Sequence, residues 1–566
     1  MMIDFIVDTD KRIIDLELLI SAHLLGFVYR FVSDCMLQYM EGTSGKTDSL
    51  ESTEGRILED ESLDRFSSLP DNILNSILSY LPTKEAVRTS VLSNRWKYMW
   101  TGILVLDFDE NCFCGKGENS RKREKMVGIV NRVLKLHFGH VERFKLVFYP
   151  GKFKSHISRC LQFLQTSGVQ ELDLDFRGES QEAYAGYGWY ELPSCIYDLG
   201  SLLVLNLKNC TMGVPLEFKG LKSLKTLCLS DVYISGEQLS ILVSKCEVLQ
   251  NLTVHCCKDI ENIKILGPHT QLQSLKIDGC CVTLGELEID APNLLSFDFT
   301  GWVSGSPMLN VPRLLKATIT QSSKNSLDGQ NEKWYLEMAM NLSKLVHVES
   351  LSLLGFFVKF LAKGEAIDQV PTNFLNLKKL ALKVNMTKVS EVTTIARFLG
   401  CCHHLEEIVF WLDQHHPELT WQFWDAQVPP YCVVDYLKTV VIKNFSGLED
   451  EEAFVRFLLM CAKELKKITV SCYESMRTER RMQTALEKLA KVERASQNVE
   501  MVIDFDSNQD LNGDKYLYDD STDGLSEYDY GYDYDYDDDD HDYDYDAFEI
   551  EDYFSDQDMI LNLFLH

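Results

Sequence analysis

Cys112 and Cys114, followed by His137 and His140, are residues whose types could bind a transition metal. A closed zinc site draws its Cys and His ligands from short paired spacings. A CxC followed more than twenty residues later by HxxH has no such form, so no metal centre is expected. His403-His404 and His415-His416 are adjacent pairs. Neighbouring side chains diverge, which suits neither a helix-borne site nor a proton relay. Ser44-Gly45-Lys46-Thr47 has the look of the end of a phosphate-binding loop, but the first glycine of that loop falls on Met40 and no strand precedes it. HExxH, GxSxG and the dinucleotide glycine loop are absent from the sequence. The chain is therefore expected to bind rather than to catalyse, with no cofactor.

Binding by such a chain has to be read from its elements. At 566 residues it is too long for one compact core and should hold two or three, or one extended array. The formal net charge of −30 argues against a nucleic-acid partner, which needs a basic patch. Of the acidic residues, 23 lie in Asp504–Asp558 against the single Lys515, so the body is only mildly acidic. Tyr528–Asp546 alternates Asp and Tyr and cannot bury a core against its own repulsion. Residues 506–566 are expected to be a disordered acidic tail. The 17 cysteines often occur as neighbours, such as Cys256-Cys257, Cys280-Cys281 and Cys401-Cys402, and read as reduced buried thiols of a protein in the cytoplasm and/or nucleus. Leu18–Val28 is apolar but too short to span a membrane, and the segment before it lacks the positive start of a signal peptide. No membrane partner is expected. Residues 1–60 read as disordered or spurious, with 1–39 an extension that the working protein lacks.

Residues 64–100 carry a compact helical module. Pro70 suits the first turn of a helix. Ile73, Leu74, Ile77, Leu78 and Leu81 then recur at helical spacing as one apolar stripe, and Pro82 ends the helix. Thr83 is placed to cap a second helix with Ala86, Val87 and Val91, and Ser93 a third ending in Trp96, Met99 and Trp100. So small a unit buries little by itself, so part of its apolar surface should face a partner. Leu69-Pro70, Ile73-Leu74, Ile77-Leu78, Leu81-Pro82, Arg88-Thr89-Ser90-Val91-Leu92-Ser93 and Arg95-Trp96 with Trp100 closely resemble a plant F-box. The resemblance implies docking to a Skp-type adaptor, and through it to a cullin scaffold. By that resemblance Leu69, Pro70, Ile73, Leu74, Ile77, Leu81, Pro82, Val91, Ser93 and Trp96 lie in or beside the adaptor interface.

A repeat fills the middle of the chain. Apolar residues in first, fourth and sixth place occur thirteen times: from VERFKL at 141–146, VQELDL at 169–174, LLVLNL at 202–207 and LKTLCL at 224–229, through LQNLTV, LQSLKI, LLSFDF, LLKATI, VESLSL, LKKLAL and LEEIVF, to LKTVVI at 437–442 and LKKITV at 465–470. The steps run from 20 to 34 residues, the mark of leucine-rich repeats. Each unit should add one strand to a parallel sheet and return through helical pieces such as 236–246 and 390–401. The residues between the leucines should face outward: Asp173, Asp175, Asn206, Lys208, Ser230, Thr253, His255, Lys276, Asp278, Thr300, Lys383, Trp411 and Lys443. This surface is mixed in charge and suits a protein partner.

The stretch after Asp425, with Pro429, Cys432, the LKTVVIKNF strand, Gly447, the Glu-rich helix start and LKKITV, resembles the FBD region that follows F-box and leucine-rich segments in plants. A basic helix at 477–494 and an edge strand at 500–505 should close the array. The expected fold is α/β. An F-box at 61–105 precedes an irregular leucine-rich-repeat solenoid at 106–424 and an FBD-like cap at 425–505. The whole resembles a plant F-box/FBD/leucine-rich-repeat protein, which implies a non-catalytic substrate receptor of an SCF-type ubiquitin ligase with an unknown target. The alternative is a leucine-rich scaffold that binds a protein or small ligand without ubiquitin.

Overall fold

The computed structural model describes residues 70–506 except 92–94, 111–118, 177–188, 216, 268–270, 281–283, 302, 304–306, 322–339, 363–372, 414–422, 425–426, 428 and 474–478. The N-terminal extension, Leu69, Ser93, Cys112, Cys114, His415-His416 and the acidic tail lie outside the described residues, as does the side chain of Val91. Two compact units divide the described chain, one running to Lys208 and one from Asn209.

In the first unit, helices Asp71–Leu78 and Thr83–Arg88 and the 3-10 turns Thr89–Val91 and Trp96–Gly102 form the helical module. Strands Val105–Asp109, Arg143–Val147, Glu171–Asp175 and Val204–Lys208 follow, each parallel to the next. The helices Asn119–Leu136 and Lys154–Ser167 carry the chain back between them. Val105–Asp109 is not among the thirteen motifs. Ile103, Leu106 and Phe108 hold the same first, fourth and sixth places and are fully buried, so this strand too was written in the sequence.

The second unit holds Thr226–Ser230, Asn251–His255, Ser274–Asp278, Ser296–Gly301, Lys316–Gln321, Ser350–Gly355, Lys379–Val384, Glu407–Leu412, Thr439–Lys443, Lys467–Tyr473 and Glu500–Asp506, each parallel to its neighbour. All thirteen motifs form strands, and the apolar residues in their first, fourth and sixth places are buried. In a strand alternate residues share a face, so the fourth and sixth positions enter the core together. Ala317, small for its place, stands in register between Phe297 and Leu351, whose bulk flanks it.

A second regularity follows four successive strands, Val204–Lys208, Thr226–Ser230, Asn251–His255 and Ser274–Asp278. Asn209, Asp231, Cys256 and Gly279 have positive φ of 58°, 51°, 50° and 62°. Each donates its N–H to a carbonyl at the end of the next strand: Asn209 to Ser230, Asp231 to His255, Cys256 to Asp278 and Gly279 to Thr300, at 2.7–3.2 Å. The left-handed turn thus lifts the chain out of one strand and ties it to the next. Asn, Asp and Gly tolerate that conformation and cysteine does not favour it.

The returns are only partly helical, which corrects the expectation. Gly236–Lys245 is a helix, capped reciprocally by Ser235 and Gln238, and so is Val389–Cys401. Asn262–Leu266, Glu286–Asp290 and Met308–Asn310 are instead strands of a separate parallel sheet. Their cause is local: Ile263, Ile265, Leu287 and Ile289 alternate with polar residues at a period of two, and all four are buried. The returns leave little room. Gly220 has φ +91°, and a Cβ there would lie 2.0 Å from the Lys245 carbonyl oxygen. Gly220→Ala is expected to cost about 2 kcal/mol or more through strain and clash. A lowered melting temperature in the purified chain would show it; an unchanged one would mean that the return shifts freely.

At the end of the array, helices Glu449–Cys461 and Arg480–Ala490 and the strand Glu500–Asp506 cover the final core. Met482, Ala485 and Leu489 form the buried side of the basic helix. Trp424 packs on Phe454 and Phe457 with ring centroids 4.6 and 5.1 Å apart.

Candidate partner-binding surfaces

The helix Asp71–Leu78 has two apolar sides rather than the single stripe expected. Leu74 and Leu78 turn inward and are buried with Leu81, Ala86, Val87, Trp96, Met99 and Trp100. Ile73 is 43% exposed and Tyr80 is 54% exposed, with Ile77 half-buried between them. Ile73 and Ile77, at i and i+4, share one helix face, and Tyr80 follows in the turn after the helix. Pro70 is exposed, Pro82 half-buried, and Tyr98 exposed on the 3-10 turn. Of the residues expected at an adaptor interface, Pro70, Ile73, Ile77 and Pro82 therefore reach the surface. Leu74, Leu81 and Trp96 support them from beneath.

Two hydroxyls fix the module on the first strand. Ser79 Oγ accepts the Leu104 N–H at 3.0 Å, and Thr83 Oγ1 accepts the Asp107 N–H at 2.7 Å. This corrects the expected role of Thr83: it lies inside the helix that Pro82 precedes, and its hydroxyl serves the strand instead of the helix end. Arg95 joins Asp71 at 2.6 Å. His137 and His140 serve the fold. His137 Nε2 donates to the Ile103 carbonyl at 2.9 Å, and burial lowers its pKa. His140 Nδ1 meets the Ser167 carbonyl at 3.0 Å.

The outward residues of the strands run in rows across the sheet. In the first unit one row reads Asp107, Lys145, Asp173 and Asn206, with Lys145 Nζ 3.5 Å from Asp107. Asp175, expected outward, is buried. In the second unit the row begins polar, with Lys276 3.9 Å from Asp298. It then turns apolar: Ala381, Val409, Val441, Thr469 and Val502 stand side by side in register. The next outward row carries Lys383, Trp411 and Lys443, and the Lys443 ammonium lies 4.5 Å from the centre of the Trp411 ring. Sequence reading named Trp411 and its lysines but missed the valine row, because register across distant repeats is what aligns it.

The thirteen described cysteines are all free thiols. Burial pushes Cys160, Cys432 and Cys472 up to about 12, which leaves them inert at neutral pH. Among the described residues no three His, Cys, Asp or Glu side chains converge as for a metal, and no helix is long and apolar enough to cross a membrane.

Comparison with known proteins bears on these surfaces. The family described as the At1g61320/AtMIF1 LRR domain matches residues 133–505, and the F-box domain matches residues 66–106. The F-box/FBD/LRR-repeat protein At1g13570 of Arabidopsis thaliana is 27% identical over 421 residues, 73% of this chain and 92% of that protein. The FBD-associated F-box protein At5g22730 of the same plant is 28% identical over 72% of this chain and 87% of its own length. The Arabidopsis F-box/LRR-repeat protein At3g58900 is 32% identical over 45% of this chain and 79% of its own.

Proposed function

We propose a function that proceeds from one premise: the chain belongs to the plant F-box/FBD/LRR-repeat family. It acts as the substrate-recognition subunit of a cullin-based, SCF-type ubiquitin ligase. In this reading residues 61–105 are the F-box, 106–424 the repeats and 425–505 the FBD-like cap, and the protein works in the cytoplasm and/or nucleus. Pro70, Ile73, Ile77 and Pro82, together with Leu69, Val91 and Ser93, meet a Skp-type adaptor. Leu74, Leu81 and Trp96 hold that surface in shape. The observation that carries the reading is the outward face of Asp71–Leu78 and the turn after it, where Ile73 and Tyr80 stay exposed although the module has a filled core of its own. An apolar helix face of this kind fits a partner groove through i, i+4 anchors.

The target meets the repeats. The row Ala381, Val409, Val441 and Val502, flanked by Trp411 between two lysines, offers apolar contact beside positive charge. That combination suits a protein segment with apolar and acidic side chains. The chain forms no bond itself. Holding target and ligase together raises the local concentration of target lysines at the loaded conjugating enzyme.

The test is direct. Purified full-length chain is mixed with a plant Skp-type adaptor and run by analytical size exclusion at micromolar concentration. A stoichiometric complex is expected. Its absence from folded material overturns the reading in favour of a scaffold that works without ubiquitin.

A further inference from the structure

The last strand of the array, Glu500–Asp506, has a neighbour on one side only among the described residues. It runs parallel to Lys467–Tyr473, with Ile468 beside Met501, Val470 beside Ile503 and Cys472 beside Phe505. Ile468, Val470 and Cys472 are fully buried, whereas Met501, Ile503 and Phe505 are half-buried. The core side is therefore still partly open at this strand. The Glu500 N–H turns toward the neighbour and donates to the Lys466 carbonyl at 2.9 Å. Alternation along a strand then turns the N–H and C=O of Met501 and Ile503 the other way, as a template for a further strand. Arg494 covers the start of that edge, where it donates to the Val499 carbonyl at 3.0 Å.

The outward side of the same strand says which chemistry fits. Glu500 and Asp504 are exposed, with the half-buried Val502 between them. The array joins its strands by ion pairs across such rows: Lys379 to Glu407 at 2.7 Å, Lys438 to Glu406 at 2.9 Å and Lys378 to Glu349 at 3.0 Å. Beyond Glu500 and Asp504 the next places call for cations. A second copy of this strand would not supply them. Paired antiparallel about Val502, it sets Met501 against Ile503 but Glu500 against Asp504, and like charges directly opposite destabilise a sheet.

We propose that the edge of Glu500–Asp506 binds an extended segment of a partner protein by adding it as a further strand. The segment carries a Lys or Arg in first and fifth place and apolar residues in second and fourth. Its cations face Glu500 and Asp504, and its apolar residues close over Met501 and Ile503. Main-chain bonds to the edge supply the affinity and the alternate side chains the specificity. The pattern is the same read in either direction. The array already holds one such strand, Lys379-Leu380-Ala381-Leu382-Lys383. There Leu380 and Leu382 are buried, and Lys379 pairs with Glu407 of the next strand. This inference stands independently of the adaptor reading.

The probe is the free peptide Lys-Lys-Leu-Ala-Leu-Lys-Val, the sequence of residues 378–384, carrying a fluorophore and titrated with the full-length chain. A scrambled peptide of the same composition sets the level due to charge on the acidic tail alone. The ordered peptide should bind about tenfold or more tightly than the scrambled one, and hydrogen exchange across residues 500–506, read by mass spectrometry, should slow when it binds. Glu500→Lys with Asp504→Lys should remove about tenfold of the affinity. The same double variant should instead favour a peptide with Glu in place of the two lysines that flank Leu-Ala-Leu. Ile503→Pro removes an N–H on the far side of the strand and should bring the ordered peptide down to the scrambled level. Melting temperatures are recorded for each variant. Equal binding of ordered and scrambled peptides overturns the proposal. Tight binding that survives in folded Ile503→Pro overturns it too, since the peptide then sits elsewhere. Binding that appears only once residues 507–566 are removed gives the edge to the chain's own tail and overturns it as well.

Discussion

Ile73→Asp is expected to weaken capture of a Skp-type adaptor by about 100-fold or more, the loss of one interface anchor of ~2–4 kcal/mol. The melting temperature of the chain should stay within about two degrees, since an exposed substitution away from the core changes stability by ~0.5 kcal/mol or less. The helix face explains the separation. Ile73 looks outward, while Leu74, one residue on, is fully buried. Leu74→Ala should cost about 2–5 kcal/mol, as a buried leucine truncation does, and should reduce binding only by unfolding the module. Titration of adaptor into both variants by calorimetry, alongside thermal melts, distinguishes the two effects. Adaptor affinity unchanged in folded Ile73→Asp would mean that this face meets something else.

The division of that helix was not legible in the sequence. Ile73, Leu74, Ile77 and Leu78 are all apolar at helical spacing, and spacing alone does not say which half of a broad stripe meets the chain's own core. Burial decides it, where the helix packs on the 3-10 turn Trp96–Gly102. The repeats were far more legible. A period-two pair of buried side chains needs only local information, so each of the thirteen motifs predicts its strand, and the same pattern in Ile103, Leu106 and Phe108 marks one more. What local pattern leaves out is alignment between repeats. Val409 and Val441 are more than thirty residues apart, and register makes them neighbours.

Register also places a buried carboxylate where the cap turns from strand to helix. Glu451 lies in the first turn of Glu449–Cys461 and is 2% exposed. Its Oε2 accepts the Ser446 N–H at 2.8 Å and the Leu448 N–H at 3.3 Å, and its Oε1 accepts the Ser446 hydroxyl at 2.9 Å. Glu391 repeats the device two repeats earlier, accepting the Asn385 N–H at 2.9 Å. Glu451→Ala leaves two backbone donors buried beside Gly447, each costing about 1–3 kcal/mol, so the loss should reach ~3 kcal/mol or more. A drop of about 6 °C or more in melting temperature is the expected reading, at ~2–4 °C per kcal/mol. Glu451→Gln keeps one acceptor oxygen and should lose less.

The same carboxylate predicts a pH dependence with a definite sign. Burial is the largest influence and raises the Glu451 pKa above its ordinary 4.5, against the hydrogen bonds from Ser446, Leu448 and Gly447 that lower it. The folded chain therefore holds this proton more tightly than the unfolded chain does. That contribution is present in full below the ordinary carboxylate range and is lost as the pH rises through the raised value. Measured against Glu451→Gln, which cannot titrate, the unmodified chain should lose relative stability as the pH climbs from about 4.5 toward neutrality. Its advantage there rests on the three accepted hydrogen bonds. A relative stability that instead grows with pH across this interval would mean that those bonds outweigh burial and that the carboxylate is held ionised.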